Sequence, residues 1–205
     1  MNLQLEHSDL KKAVIRSQHC QRNWDLSQEI PQEDLDTILY SVTNCPSKQN
    51  HAFYKVHAVT NRDIIEDIHS NTEGFGLPNG NMTTNSQTLA HLVLVFEEVE
   101  TSEQHKEKNR LYEPGIKTVN RDVNMAVGIA AGYANLTSTI LGYNTGCCAC
   151  FDVAAIKEIL DLDNNPVLIM GIGIKDSTQN RRLHHKTGEL FPTKSKEPIK
   201  VEIIS

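Results

Sequence analysis

The chain has 205 residues, with 20 Lys and Arg against 26 Asp and Glu and 39% hydrophobic residues. These proportions exclude a disordered or fibrous chain, and at ~150 residues per domain the length predicts one domain over residues 1–205. The net charge of −6 argues against the broad basic face of a nucleic-acid binder, and no run approaches the ~20 apolar residues of a membrane span.

In chain order, the start lacks the basic and apolar regions of a signal peptide, so no leader is expected. Ser8 can cap a helix running through Leu10, Ala13 and Val14 toward Cys20. Pro31 suits a first helical turn, with Glu33 and Asp34 on the positive end of the dipole. Leu35, Ile38, Leu39 and Val42 then recur at i, i+3, i+4 and i+7, the spacing of an amphipathic helix. That helix stops before Pro46, because the residue preceding a proline avoids the helical region.

Residues 53–60 read as a strand, and Asn61 caps a short helix carrying Ile64, Ile65 and Ile68. Residues 70–85 are turn-rich. Residues 89–96 are nearly all apolar, the pattern of a strand buried on both faces. Residues 97–118 are charged and read as a surface excursion over or near a site. Residues 120–141 form the strongest helix, rich in Ala and Gly, read as the central helix of a core or of a dimer interface. Asp152 caps the next helix, with Phe151 and Ile156 at hydrophobic-staple spacing. Residues 166–174 are a second buried strand. Residues 198–204 are a strand-like tail that can leave the globule to pair with a partner subunit's sheet. The alternation of strands and helices predicts α/β or α+β.

The five cysteines are an odd number, and three crowd into Cys147-Cys148-Ala149-Cys150. This is no spaced disulfide framework; reduced thiols in a cytoplasmic protein are the simpler reading. The spacing is not that of a zinc knuckle, so no metal site is expected. His184 and His185, beside Arg181 and Arg182, are expected to be exposed. Gly171-Ile172-Gly173 is not a dinucleotide fingerprint, since Asp176 stands at the third glycine position.

Four polar clusters adjoin structural punctuation. They are Gln18-His19-Cys20-Gln21-Arg22, ending in Asn23-Trp24; Pro46-Ser47-Lys48-Gln49-Asn50; residues 145–152; and Lys194-Ser195-Lys196. Trp24 should pack down and fix the first. Together they offer cations, amide and hydroxyl donors, and a glycine-entered loop that can lie against a flat ring. Such a set suits an anionic, planar ligand, since phosphate wants Arg and Lys and a ring wants an apolar wall.

At these residues the chain resembles the FMN-dependent nitroreductase family. Gln18 to Trp24 matches the family's Arg-[Arg/His]-Ser-x-[Arg/Lys]-x-[Phe/Tyr], and Pro46-Ser47-Lys48-Gln49-Asn50 its Pro-Ser-x-x-Asn. The small-residue helix and Gly turn of residues 128–146, Phe151-Asp152, Gly171-Ile172-Gly173 and Lys194-Ser195-Lys196 follow in the family's order. The resemblance implies an α+β fold, with a mixed sheet wrapped by helices. It also implies an intertwined homodimer that exchanges C-terminal arms, here residues 190–205, and holds two FMN molecules at the interface. By position, Gln18, His19, Cys20, Arg22, Lys194 and Lys196 fall on the phosphate and ribityl contacts. Pro46, Ser47 and Asn50 approach from the partner subunit. Backbone groups of Cys148, Ala149 and Cys150 face the isoalloxazine. Asn85 matches an asparagine that contacts the ring, with Asn81 as the competing alignment.

The implied activity is a ping-pong hydride transfer from NAD(P)H to a small-molecule acceptor such as a nitroaromatic, a quinone or another flavin. The flavin carries that chemistry, so no side chain is assigned as catalytic. The chain departs from the family at Gln18, Cys20, His51-Ala52-Phe53 and Lys196. Each lost charge-assisted hydrogen bond is worth roughly 1.5–3 kcal/mol, so weaker FMN binding is expected unless Arg16, Arg181 or Arg182 compensates. The alternatives are the same fold with flavin fragmentation, dehalogenation or azoline oxidation, or a flavin-binding protein without catalysis.

Overall fold

Alternation of buried side chains along two central strands organises the molecule, because each strand presents apolar residues to both sides of one sheet. The computed structural model describes residues 6–100, 116–193 and 195–204, with residues 116–120 described by backbone alone. The elements in order are α1 (His7–Ser17), α2 (Gln32–Thr43), a 3-10 turn (Lys48–Asn50), β1 (Tyr54–Val59) and α3 (Arg62–Ser70). A second 3-10 turn (Ser86–Leu89), β2 (Leu92–Glu98), α4 (Ile116–Ile140), β3 (Asn144–Cys148), α5 (Val153–Ile159) and β4 (Pro166–Gly173) follow.

The strands lie in the order β1-β2-β4-β3, every pair antiparallel. Register is set by Val56 opposite Phe96, Leu94 opposite Met170, and Gly146 opposite Gly171. Leu92, Leu94, Phe96, Met170 and Ile172 pack with Ile38 and Val42 of α2 and with Val123, Ala126, Val127, Ala130 and Ala134 of α4. Val93, Val95 and Ile169 pack on the other side with Ile65, Ile68 and Ile156. Helices on both faces explain the unbroken apolar run of β2. The class is therefore α+β. The resemblance implied a mixed sheet, whereas the described strands pair only antiparallel.

Local signals acted as their chemistry dictates. The Asn61 side chain accepts from the N–H groups of Asp63 and Ile64 at 2.9 and 3.1 Å. That of Asp152 accepts from Ala154 and Ala155 at 2.9 and 3.1 Å. Both satisfy donors a helix start leaves free. Pro31 stands at the N-cap of α2, which ends at Thr43, ahead of Pro46. α1 differs from expectation. Glu6 is its N-cap, with no side-chain hydrogen bond, so Ser8 lies inside the first turn, and the helix ends at Ser17 rather than at Cys20.

Two further expectations change. Residues 97 and 98 of the presumed excursion belong to β2 and residues 116–118 to α4, while 101–115 lie outside the described residues. In α4 the alanines face the core, but Gly128 and Gly132 are exposed, and a Cβ on either would meet nothing within 4 Å. These glycines do not serve packing inside this chain. They share an open face with Met125, Ile129 and Tyr133, which are 57%, 38% and 46% exposed. The tail forms no strand here, and Ile199, Val201 and Ile203 are 80%, 82% and 92% exposed. Among the described residues no helix is long and apolar enough to cross a membrane.

Candidate functional site

The site is built on a close approach that only glycine permits. Gly146 on β3 and Gly171 on β4 are register partners. A Cβ at Gly171 would overlap the Gln87 carbonyl oxygen, and one at Gly146 would lie 2.8 Å from Gln87 Cβ. The Ser86–Leu89 turn therefore rests on the sheet backbone. It carries Gln87 Oε1 and Ser86 Oγ, both buried and without a hydrogen-bond partner among the described residues.

Residues 21–24, after α1, are stitched across the same region. Gln21 N–H donates to Thr145 O at 2.8 Å and Arg22 N–H to Arg181 O at 3.1 Å. Gln21 Nε2 donates to Asn23 O at 2.8 Å, and the Asn23 amide donates to Asn180 O. Trp24 is 2% exposed and donates from Nε1 to Ser86 O at 2.9 Å. It therefore fixes the cluster, as its size and single polar handle suggest.

Arg22 is the electrostatic centre. It is 8% exposed, and its guanidinium lies 4.1 Å from the centre of the Phe191 ring. This cation–π contact is worth about 0.5–2 kcal/mol. Its Nε and Nη1 are buried and have no hydrogen-bond partner among the described residues. Burial lowers its pKa, Arg181 and Arg182 lower it further, and Cys20 and Cys148 act in the opposite direction. Each unsatisfied buried donor costs about 1–3 kcal/mol, more when charged. An anion on Nε and Nη1 removes that cost through charge-assisted hydrogen bonds, and Arg181 and Arg182 add attraction for it.

The thiols nearby are packing groups. Cys148 is 2% exposed and donates to Cys150 O at 3.4 Å, with the Asn85 side chain in hydrogen-bonding reach of its sulfur. Burial raises its pKa, and that of Cys147 is pushed up to about 12 by burial, then by Cys20 and Cys148. Both stay protonated at neutral pH and are poor nucleophiles and metal ligands. Among the described residues no group of His, Cys, Asp and Glu can hold a metal ion.

The sequence-expected residues divide into two places. Cys20 (half-buried), Arg22, Asn85 and Cys148 come together, with exposed Ala149 and Cys150 just beyond β3 and exposed Gln18 and His19 at the end of α1. Of the two competing asparagines, Asn85 is buried in this region and Asn81 is exposed. Pro46, Ser47 and Asn50 lie elsewhere. They precede β1, at the edge of the sheet opposite β3. There Ser47 Oγ donates to His51 O at 2.8 Å, and Gln49 and Asn50 have φ of 55° and 57°. Ser47 and Asn50 line an open cavity of about 470 Å³ with His51, Ala52 and Tyr54. Lys196 is exposed, and Lys194 lies outside the described residues.

Two features escaped sequence reasoning. His184 is 2% exposed and His185 half-buried, not exposed as expected, because residues 183–191 fold back on α3 and on residues 72–85. Phe191, the platform of Arg22, sits in a polar stretch with no periodic pattern to mark it. Gly146 beside the expected loop was the one available hint of the buried Ser86–Gln87 turn.

The model of the Nitroreductase family matches residues 15–174. No curated protein matches the chain significantly. Among solved structures, a protein of Bacillus subtilis assigned as a nitroreductase is 18% identical with a TM-score of 0.66, over 97% of this chain and 100% of that one. One of Staphylococcus epidermidis assigned as an NAD(P)H:FMN oxidoreductase is 18% identical with a TM-score of 0.66, over 97% and 96%. One of Exiguobacterium sibiricum, assigned as a nitroreductase and solved in complex with FMN, is 14% identical with a TM-score of 0.65, over 87% and 92%.

Proposed function

Because the chain belongs to the nitroreductase family, we propose that it is a flavin-dependent oxidoreductase that binds FMN and passes electrons from NAD(P)H to a small oxidised acceptor. The observation that carries the reading is Arg22, a buried guanidinium whose Nε and Nη1 have no partner among the described residues. Those donors fit one phosphate group. The exposed backbone of residues 149–150, just beyond β3, fits a flat ring. When bound, FMN supplies two-electron hydride chemistry. The chain supplies position and charge: Arg22 and Lys196, with Lys194, for the phosphate, and Cys20 and His19 beside them. Asn85 and the backbone of Cys148, Ala149 and Cys150 stand for the ring. Gln18 replaces a cation, and Arg181 and Arg182 add positive charge near Arg22. Nitroaromatics, quinones and free flavins are the acceptor classes, taken in ping-pong order with the nicotinamide nucleotide.

A homodimer completes the site. The open face of α4, with Met125, Ile129 and Tyr133 around two glycines, is the surface a second helix covers. The exposed alternation Ile199, Val201, Ile203 suits a strand added to a partner's sheet. Dimerisation brings Pro46, Ser47 and Asn50 of one subunit toward the Arg22 region of the other, which accounts for their separation within one chain. All five cysteines are free, which supports a cytoplasmic protein.

The test is the visible spectrum of the freshly purified protein, with the released chromophore identified, followed by steady-state kinetics with NADH and NADPH. A yellow protein releasing one FMN per chain and giving parallel double-reciprocal lines is expected. A colourless protein that stays colourless with added FMN sinks the reading.

A further inference from the structure

His69 and His184 are buried outside the anion-accepting donors, 3% and 2% exposed, with ring centres 5.6 Å apart. Thr84 Oγ1 lies between them, 2.8 Å from His69 Nε2 and 3.1 Å from His184 Nε2. The direction of each proton follows from the outer ends. The N–H groups of Lys186 and Thr187 both donate to His184 Nδ1, at 3.2 and 3.3 Å. That nitrogen is therefore bare, and the ring proton sits on Nε2. His184 Nε2–H faces Thr84, and Asn85 O at His69 Nδ1 can only accept, so the His69 proton sits on Nδ1 and the Thr84 hydroxyl donates to the bare His69 Nε2. His69 keeps its proton on Nδ1, which faces Asn85 O and Thr88 Oγ1 at 3.4 Å each.

This chain of donors runs one way and requires both imidazoles neutral. A proton added at His184 Nδ1 meets two N–H donors. One added at His69 Nε2 leaves Thr84 between two donors, with its own proton unaccepted.

The two ends of the chain reach the two halves of the candidate site. One end is Asn85, whose Oδ1 accepts from Gln87 N–H at 3.3 Å in the turn that rests on Gly146 and Gly171. The other is the segment 183–191, closed on itself by His184 N–H to Glu189 O at 2.8 Å and Gly188 N–H to His184 O at 2.9 Å. It carries Phe191, whose ring is nearly parallel to His184 at 15° and supports the Arg22 guanidinium. We propose that His69, Thr84 and His184 form a positioning relay, which holds Arg22 and Asn85 in their ligand-binding arrangement while both rings are neutral and releases Arg22 when either ring takes up a proton. The relay rests on the reading above only for the identity of the ligand.

The charged surroundings are mixed: Glu66 and Glu189 favour protonated rings, whereas Lys186 and His185 favour neutral ones. Glu66 on α3 and Lys186 on the 183–191 segment both face His69, and they pair with each other. Glu189, His185 and Lys186 face His184, while Arg62, Glu66 and Asp176 face His185. Burial dominates, pushing His69 down to about 4 and lowering His184. A histidine held neutral in this way gives up native stability as pH falls from its free value of 6.5 toward about 4. Release is an acid-side event.

The experiment uses the full-length folded protein. Nitrogen NMR of the imidazoles should show His184 protonated at Nε2 and His69 at Nδ1, both neutral at pH 7. The Arg22 Nε–H resonance should be shifted by the Phe191 ring, and should lose that shift on acidification in step with imidazole protonation. Thr84→Val should abolish the Arg22 shift at neutral pH and weaken FMN binding about tenfold, roughly the effect of one buried hydrogen bond; Thr84→Ser should restore both. Other tautomers, an Arg22 signal that ignores imidazole protonation, or a Thr84→Val variant with unchanged Arg22 signal and FMN affinity would overturn the relay. If Thr84→Val does not fold, the wild-type pH series alone decides. A protein whose Arg22 signal follows the relay but which never binds FMN sinks the flavin reading and leaves the relay standing.

Discussion

Arg22 and Glu97 are both buried charges, and the difference between them separates a binding residue from a structural one. Glu97 is fully satisfied: His57 Nε2 lies 2.7 Å from Oε2, Asn164 N–H donates to Oε1 at 2.7 Å, and Lys55 is 3.9 Å away. Burial would raise its pKa, but these partners outweigh it and hold it below the ordinary carboxylate value of 4.5. Its stabilisation is therefore present above that value and is lost as pH falls through the lower native one. Urea melts should show Glu97→Gln losing less stability than wild type on acidification below about pH 4.5; parallel losses would count against it. Among the described residues Arg22 has no such set of partners. Arg22→Ala should weaken FMN binding by about one to two decades, the worth of one charged hydrogen bond, in a flavin fluorescence titration. An affinity within twofold of wild type would remove Arg22 from the site.

At the scale of elements, the caps are the most direct link between sequence and structure. Asn61 satisfies two N–H groups of a nine-residue helix that presents Ile65, Ile68 and His69 to the interior. Asn61→Ala should cost about 1 kcal/mol and lower the melting temperature by a few degrees. Because His69 closes that helix, the variant should also loosen the 183–191 segment, visible as faster amide exchange at Lys186 and Thr187. Unchanged exchange there with a lowered melting temperature would confine the cap to α3. The 3-10 turn Ser86–Leu89 depends instead on long-range glycine contacts, and nothing in its own SQTL run announces it.

For the whole molecule, the open face of α4 and the extended tail are two parts of one requirement. A solvent-exposed helix gains about 1 kcal/mol when glycine becomes alanine. A helix whose glycines admit a second backbone loses by the same change. Gly128→Ala should therefore shift sedimentation toward monomer and lower the melting temperature. A rise in stability with unchanged sedimentation would leave the face unpartnered. Removing residues 197–205 should also shift sedimentation toward monomer, since Ile199, Val201 and Ile203 stay largely exposed within their own chain.

The sequence by itself determined what depends on near neighbours and on period. Asn61, Asp152 and Pro46 marked helix ends, and spacing placed Ile38 and Val42 on a buried face. The apolar runs of β2 and β4 reported a sheet covered on both faces. The resemblance to the nitroreductase family, carried by motifs in order along the chain, brought Cys20, Arg22, Asn85 and Cys148 into one candidate set. Tertiary structure decided what depends on residues far apart in the chain: the antiparallel order β1-β2-β4-β3, and the separation of Ser47 and Asn50 from Arg22 at opposite sheet edges. It also decided the burial of His184, which sequence reading left in solvent beside two arginines. A histidine's environment is set by the segments folded over it, here residues 69–88 and Phe191, and no local pattern of residues encodes that contact.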